Sequence, residues 1–375
     1  MEGPRGVRKA EMTSLRELTG LVMRVGLVDQ FAQLFNEDNY ENLIVCVGDG
    51  KCVSHVGMTQ GGAVLFGCPI RVACIGGVCT HPDYRKRGLA SACFDFAFEK
   101  ARNEGADIMI VSGDRSLYRM RGCVHVGRDQ VFTLTEESMK ASSGRASGDV
   151  TLNVMRPEEL PLVADCYRAE PVRFARTPED YGYALQSEWV MNRPSDFLIV
   201  RERGDFRGYI IAPRTSTDGK ANVAEYAGDR RACLVAMPEV RKRYGLSTLG
   251  FHVLRHDALM RSLCEQAGLE GNFRTTPGTV TLVNFPQLME RMRPYFEERL
   301  GTRVASRMRF TVEGDQYVFA LHNERMALDR SEACRTLFGT LEPAGQSGTD
   351  RQDELGAALR AILPLPTLHY GINYV

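Results

Sequence analysis

Three features of the sequence predict an α+β chain of two tandem mixed-sheet domains followed by a smaller C-terminal α/β domain. One is a strand–turn–helix–strand run from Ala73 to Gly122. Another is a fresh series of helix and strand signals beginning at Val150, after the small-residue, polar run Thr133–Gly148 that reads as a linker. The last is a helix–hairpin–helix pattern from Phe285 onward. These features divide the chain into residues 1–137, 150–284 and 285–375.

The elements follow in order. Gly6 to Glu11 is expected to form a short first strand. Leu15, Leu18, Leu21, Val22, Val25, Leu27 and Val28 keep a helical spacing from Ser14, and Phe31 to Phe35 extends it. Leu43–Val47 and Cys52–Met58 read as strands joined by the turn Gly48-Asp49-Gly50-Lys51, and a second hairpin bends near Gly67. Pro69 to Val78 is an apolar, β-branched run that suits a buried central strand. Leu89 to Ala101 is apolar on most sides, so its helix should be buried, and Gly105 suits its left-handed cap. Ala106 to Val111 is the next strand, parallel to the central one through a right-handed crossover.

The turn between central strand and helix carries the chemistry. Arg85, Lys86, Arg87 and Gly88 stand where the first helical N–H groups lack partners and the positive end of the macrodipole adds to them, which makes an anion site. Gly88 has no Cβ to keep a pyrophosphate from the backbone. The other reading is an ordinary turn with a solvated basic cluster. The pattern is neither a Walker loop nor a dinucleotide Gly-Xaa-Gly-Xaa-Xaa-Gly.

From Val150 the signals start again, with a helix from Pro157 through Tyr167 and strands at Phe197–Val200 and Gly208–Ala212. Val223–Gly228 reads as the counterpart of the central strand, followed by the strand Phe251–Leu254 and the helix Ala258–Cys264. Here Arg241-Lys242-Arg243-Tyr244-Gly245 has its glycine in the wrong place for a pyrophosphate. Phe285–Leu300 reads as a helix broken at Pro294, Arg309–Val312 and Tyr317–Leu321 as a hairpin around Gly314. Leu328–Phe338 and Leu355–Ile362 read as helices around the loop 342–353, and Pro364–Val375 as an extended tail.

Composition bounds the function. The chain is 43% hydrophobic and 25% charged, as soluble globular proteins are, and Lys+Arg and Asp+Glu balance at 47 each. No global charge draws it to nucleic acid or an anionic membrane, and no apolar run spans a bilayer. The start, Met1-Glu2-Gly3-Pro4-Arg5, has no apolar leader, so the eleven cysteines read as reduced thiols in a cytoplasmic protein. No Cys or His cluster has metal spacing, and none is expected to be used. A homo-oligomer is allowed and not specified.

Arg85-Xaa-Xaa-Gly88-Xaa-Ala90 after strand-Thr80-Xaa-Pro82-Xaa-Tyr84 resembles the acetyl-CoA signature of the GNAT superfamily of N-acyltransferases. The resemblance implies a GNAT-like mixed sheet in which the backbone of Val78, Cys79 and Thr80 pairs with the pantetheine arm of acetyl-CoA. It implies that the pyrophosphate is held by the amides of Lys86, Arg87, Gly88, Leu89, Ala90 and Ser91 beside Arg85, with Gly113 and Asp114 completing the cofactor-binding set. By the same resemblance Tyr118, in a short helix after the second parallel strand, donates a proton to the leaving thiolate; the other reading is a packing tyrosine.

No Asp or Glu occurs between Asp49 and Asp83, so the central strand supplies no carboxylate base. His81 and Asp114 are candidates, and Cys79 is the nearest thiol for a covalent route. An active domain, a degenerate second copy and a sterol-carrier-like C-terminal domain together resemble the enhanced-intracellular-survival (Eis) family of N-acetyltransferases. That resemblance implies that the base is the chain's own C-terminal carboxylate, which belongs to Val375. The expected reaction is direct transfer of an acetyl group to a primary amine on a small molecule or a lysine. A non-catalytic CoA- or lipid-binding protein is the competing class.

Overall fold

The computed structural model describes residues 1–138, 149–341 and 351–375. Its first sheet grows from a meander. β1 (Glu2–Gly6), β2 (Leu43–Gly48), β3 (Lys51–Leu65) and β4 (Cys68–Thr80) pair antiparallel in that order. Both hairpins turn on two residues of positive φ, Asp49-Gly50 and Phe66-Gly67, a geometry that follows the natural strand twist. The first strand lies earlier than the spacing predicts. Residues 8–11 turn instead, because the Glu11 carboxylate accepts the Arg8 backbone N–H (2.9 Å) and pairs with Arg5 (2.6 Å). The helix Met12–Val22 follows, and Gly26 separates it from a short turn of helix, Leu27–Gln30.

Helix Leu89–Asn103 crosses from β4 to β5 (Ile108–Val111), which runs parallel to β4 in register from Val72 to Ile75 and then parts from it. The free edge of β5 is not taken by the next strand in sequence. β6 (Asp129–Leu134) leaves the first sheet altogether; it takes Thr133 and Leu134 from the expected linker, and residues 139–148 lie outside the described ones.

The later strands are β7 (Val150–Val154), β8 (Val172–Ala175), β9 (Trp189–Val190), β10 (Arg193–Glu202), β11 (Asp205–Pro213), β12 (Lys220–Asn222), β13 (Glu225–Gly228), β14 (Thr248–Val253), β15 (Gly271–Arg274) and β16 (Thr279–Leu282). β13, β11, β10 and β7 form one sheet with β9 at its side; β12, β14, β6 and β15 form another. β16 returns to the first sheet against β5, and β8 pairs with β3. β6, from the first segment read from the sequence, therefore pairs with strands of the second, while β8 and β16, from the second, pair with strands of the first.

Two helices of ten residues or more escape the sequence reading, Pro178–Ser187 and Arg230–Arg243. Arg230–Arg243 follows β13 as Leu89–Asn103 follows β4, with Ala232, Cys233, Ala236, Met237 and Val240 buried along one stripe that Pro238 obscures. Gly245 closes that helix at φ +60, its N–H bonded to the Lys242 carbonyl, so it is a C-terminal cap and no counterpart of Gly88.

The C-terminal region keeps its expected hairpin and adds a strand: β17 (Met308–Glu313), β18 (Gln316–Leu321) and β19 (Glu324–Leu328) form an antiparallel sheet. Leu328 ends β19 because Asp329 caps the next helix, accepting the Glu332 N–H at 2.8 Å. The expected break near Pro294 falls two residues earlier, at Met292 between helices Phe285–Arg291 and Arg293–Leu300, with Pro294 in the first turn of the second, and a helix spans Glu354–Ile362. Phe285, Phe310 and Phe319 pack with ring centres 5.0–6.0 Å apart, within one core that is continuous with Val45 of the first sheet and with Leu15 and Leu34 beside it. No helix among the described residues is long and apolar enough to cross a membrane.

The tail after Leu363 crosses the molecule. Thr367 Oγ1 meets Thr276 Oγ1 (2.6 Å), which in turn stands 3.4 Å from Asp129 Oδ2 on β6. Burial pushes the Asp129 carboxyl up to about 6, above the ordinary 3.8, opposed by the Arg255 backbone N–H. Its folded-state value exceeds its unfolded one, so its stabilising contribution is complete below about pH 4 and lost as pH rises through 6. Asp129→Asn should therefore match the wild type at pH 4 and be more stable at pH 7.5, by on the order of 2–3 kcal/mol. Denaturant titrations at both pH values check this; a variant no more stable at pH 7.5 would acquit Asp129.

Candidate active site

The central strand carries an irregularity where the site forms. β3 and β4 pair Gly57 with Gly76 and His55 with Cys79, so two residues, Gly77 and Val78, face Val56 alone. This bulge bends β4, and Gly77 takes φ +63, a conformation in which a side chain would be strained. It lies just past Ile75, where β4 and β5 part. Arg115 Nη1 spans the opening to the Val78 carbonyl at 3.3 Å.

Gly76 meets the end of the chain. A Cβ there would fall on the terminal carboxyl carbon and oxygen of Val375, so that group occupies the space a side chain would take. Val375 is 3% exposed. Residues 371–373 are fixed by β13 and its neighbours. Gly371 (φ +52) has no room for a Cβ beside Glu225 Oε2, Ile372 joins the core of the second sheet, and Asn373 Oδ1 accepts from Arg176 Nε at 2.8 Å. Arg176 and Glu225 form a buried, doubly hydrogen-bonded ion pair, which Tyr209 Oη completes by donating to Glu225 at 2.6 Å. Tyr374 packs on Phe31 and Tyr370.

Tyr118 lies in the short helix Ser116–Arg119, 3% exposed and packed on Phe94. Burial raises its phenol above the usual value, partly offset by Arg115. Val375, Tyr118, Gly76, Gly77, Val78 and Gly113 line one cavity of about 150 Å³. Arg24, Phe31, Leu34, Phe35, Asn192 and Tyr374 close it, none of them evident from sequence motifs.

Past the C-terminal end of β4, Gly88 caps helix Leu89–Asn103 in the left-handed region (φ +76) with no side-chain cap, and a Cβ on it would meet nothing within 4 Å. The first turn of that helix, Leu89, Ala90 and Ser91, thus keeps free N–H donors. Arg85 and Arg87 bond only to backbone carbonyls of Thr80 and Asp83 among the described residues, and Lys86 is exposed. An anion fits here. Helix Arg230–Arg243 differs at the same point: the Asp229 carboxylate accepts the Ala232 N–H at 2.7 Å, and Arg230 pairs with Glu170 and Asp257. That start is already neutralised.

The remaining candidates lie apart. Thr80 Oγ1 bonds Ser54 (2.8 Å), and His81 sits in the turn, its Nδ1 accepting the Asp83 N–H, off the cavity. Asp114 pairs with Arg119 (3.0 Å) and His125 (3.1 Å), and the hydrogen bond from His125 holds its carboxyl below the usual range. Burial pushes the Cys79 thiol up to about 12, which disfavours a thiolate nucleophile.

Residues 4–126, about a third of the chain, match the family model described as an acetyltransferase (GNAT) domain. No curated protein sequence matches the chain. Three solved structures align along nearly its whole length. A GCN5-related N-acetyltransferase from Anabaena variabilis ATCC 29413 is 13% identical, with 98% of each chain covered and a TM-score of 0.67. A conserved protein of Enterococcus faecalis V583, described as a "probable N-acyltransferase", is 14% identical over 97% of this chain and 98% of its own, with a TM-score of 0.66. Eis1 from Mycobacterium abscessus is 12% identical over 96% of each, with a TM-score of 0.60. At these identities the likeness is one of fold, and the fold is that of GNAT proteins.

The tail's seat generates a test of its own. Gly371→Ala should loosen residues 367–375, since the added methyl collides with Glu225 and the backbone strain there is about 1–3 kcal/mol. Hydrogen exchange across the tail should speed up roughly tenfold or more, while helix Leu89–Asn103 keeps its protection. Unchanged tail exchange would mean that the ion pair does not hold the terminus.

Proposed function

We propose that the chain is an acetyl-CoA-dependent N-acetyltransferase that moves the acetyl group directly to a primary amine, with the Val375 carboxylate as base and Tyr118 as acid. The observation that carries this reading is that the terminal carboxyl group and Tyr118 line the same cavity, where β4 and β5 part. Acetyl-CoA supplies a thioester, whose carbonyl carbon accepts the amine nitrogen as its bond to sulfur breaks.

The chain's own groups then have distinct tasks. The uncapped helix start at Gly88, with Arg85, Lys86 and Arg87 around it, suits the pyrophosphate. The backbone of Val78 to Thr80 suits the pantetheine amides. The Val375 carboxylate takes the proton the amine must lose; loss of water around a carboxylate favours its protonated form. Tyr118 gives its proton to the sulfur. A phenol is ordinarily the weaker acid of the two, pKa about 10 against 8.5 for a thiol. The burial that raises Tyr118 also raises a thiol nearby, as at Cys79, so a thiolate released here is a stronger base than in water.

A CoA-binding protein without turnover would need neither group. The eleven cysteines, all free, support a cytoplasmic setting.

Adding two glycines after Val375 displaces the carboxylate and removes no side chain. CoA binding should persist by calorimetry and turnover should fall by about 10²-fold, the contribution of a general base. Full activity in the extended protein would rule out the terminal base.

Tyr118→Phe should lower kcat by about 10²–10⁴-fold with little change in the KM for acetyl-CoA, because the lost proton acts in the transition state. Wild-type kcat would return Tyr118 to a packing role.

A further inference from the structure

The acceptor side of the cavity has an unusual charge for an amine site. Among the described residues no Asp or Glu side chain lines it, and the terminal carboxylate of Val375 is its acidic group. Arg24 and Arg115 both face it, and neither pairs with a carboxylate among the described residues. Leu27, Phe31, Leu34 and Phe35 give it an apolar wall, beside which Ser112, Asn192 and Tyr374 bring polar groups.

Arg24 is half-buried and held in place. Its Nε donates to Gln30 Oε1 (2.6 Å) and Nη2 donates to Asn192 Oδ1, while the guanidinium stands 5.5 Å from the Trp189 ring and 5.7 Å from Phe31. Asn192 and Trp189 come from the β9–β10 hairpin, which turns at Met191-Asn192 with both residues at positive φ. The second sheet thus supplies a wall of the first sheet's cleft. Burial draws the Arg24 guanidinium below its ordinary value. A fixed, partly desolvated cation without a counter-ion is a site in which an arriving carboxylate gains a charge-assisted, forked hydrogen bond.

We infer that the acceptor is a small monoamine with an apolar, ring-sized body and one carboxylate, the carboxylate received by Arg24 while the amine faces Val375. This rests on the transferase reading above. Amines with several ammonium groups, such as polyamines and aminoglycosides, meet two arginines and one carboxylate, and are disfavoured by like charge.

Three acceptors of matched size test it: 4-(aminomethyl)benzoate, benzylamine and 1,4-bis(aminomethyl)benzene. With the full chain and saturating acetyl-CoA, thiol release should give kcat/KM for the benzoate about tenfold or more above benzylamine, and for the diamine below it. In Arg24→Gln the advantage of the benzoate should shrink to near one, through KM, and Arg24→Lys should restore part of it. Equal rates in the wild type, or an advantage that survives Arg24→Gln, would overturn the assignment.

Calorimetry of the same compounds on CoA-saturated protein separates this inference from the reading it rests on. An Arg24-dependent preference in binding without any turnover would sink the transferase and keep the anionic acceptor. Turnover of the diamine in preference to the benzoate would do the reverse.

Discussion

A carboxyl group of the tail can rest on β4 only where β4 has no side chain, and Gly76 supplies that gap. The rest of the site depends on this contact. The bulge at Gly77 and Val78 bends the strand beside it, and the parting of β4 from β5 leaves the same point open toward Tyr118. A methyl group at Gly76 would displace the terminal carboxyl group without touching the helix start at Gly88.

Because the tail arrives from the far end of the chain, something must bring it there. The buried Arg176–Glu225 pair does so, with Asn373 on its rim and Gly371 pressed against it. A buried ion pair is a poor stabiliser, since desolvation offsets most of the attraction, but it is directional. Here the direction serves to aim the terminus. The second sheet, whose own helix start is closed by Asp229, therefore has a use unrelated to holding a pyrophosphate: it anchors the tail and lends Asn192 to the cavity.

The exchange of β6 and β16 between sheets couples the units further. Once β5 has splayed from β4, its outer edge is free, and β16 covers it from residue 279 onward. Unpaired strand edges invite wrong partners, so covering one within the chain guards the cleft against association there. β6 is released to sit between β14 and β15, and through Asp129 and Thr276 it touches the tail on its way to the site.

How much of this was legible varies with range along the chain. The hairpin at Asp49-Gly50, the buried central strand, the helix from Leu89 and its basic turn follow from local residue types, because turn chemistry and periodicity act over a few residues. Tyr118 and the terminal base came from resemblance, and the chain alone could say only that β4 holds no acid. Arg24, Phe35 and Asn192 carried no motif; each is ordinary in its own segment and meets the others only after folding. Helix Arg230–Arg243 was obscured by Pro238, and the strand exchange by the short, similar patterns of β6 and β16. Sequence by itself determined most of the elements and the basic, uncapped helix start, where the deciding interactions are between near neighbours. Tertiary structure alone decided the seat of the terminal carboxyl group, the walls of the cavity and the sheet each strand joins, because those rest on contacts between residues as far apart in the chain as Phe31 and Tyr374.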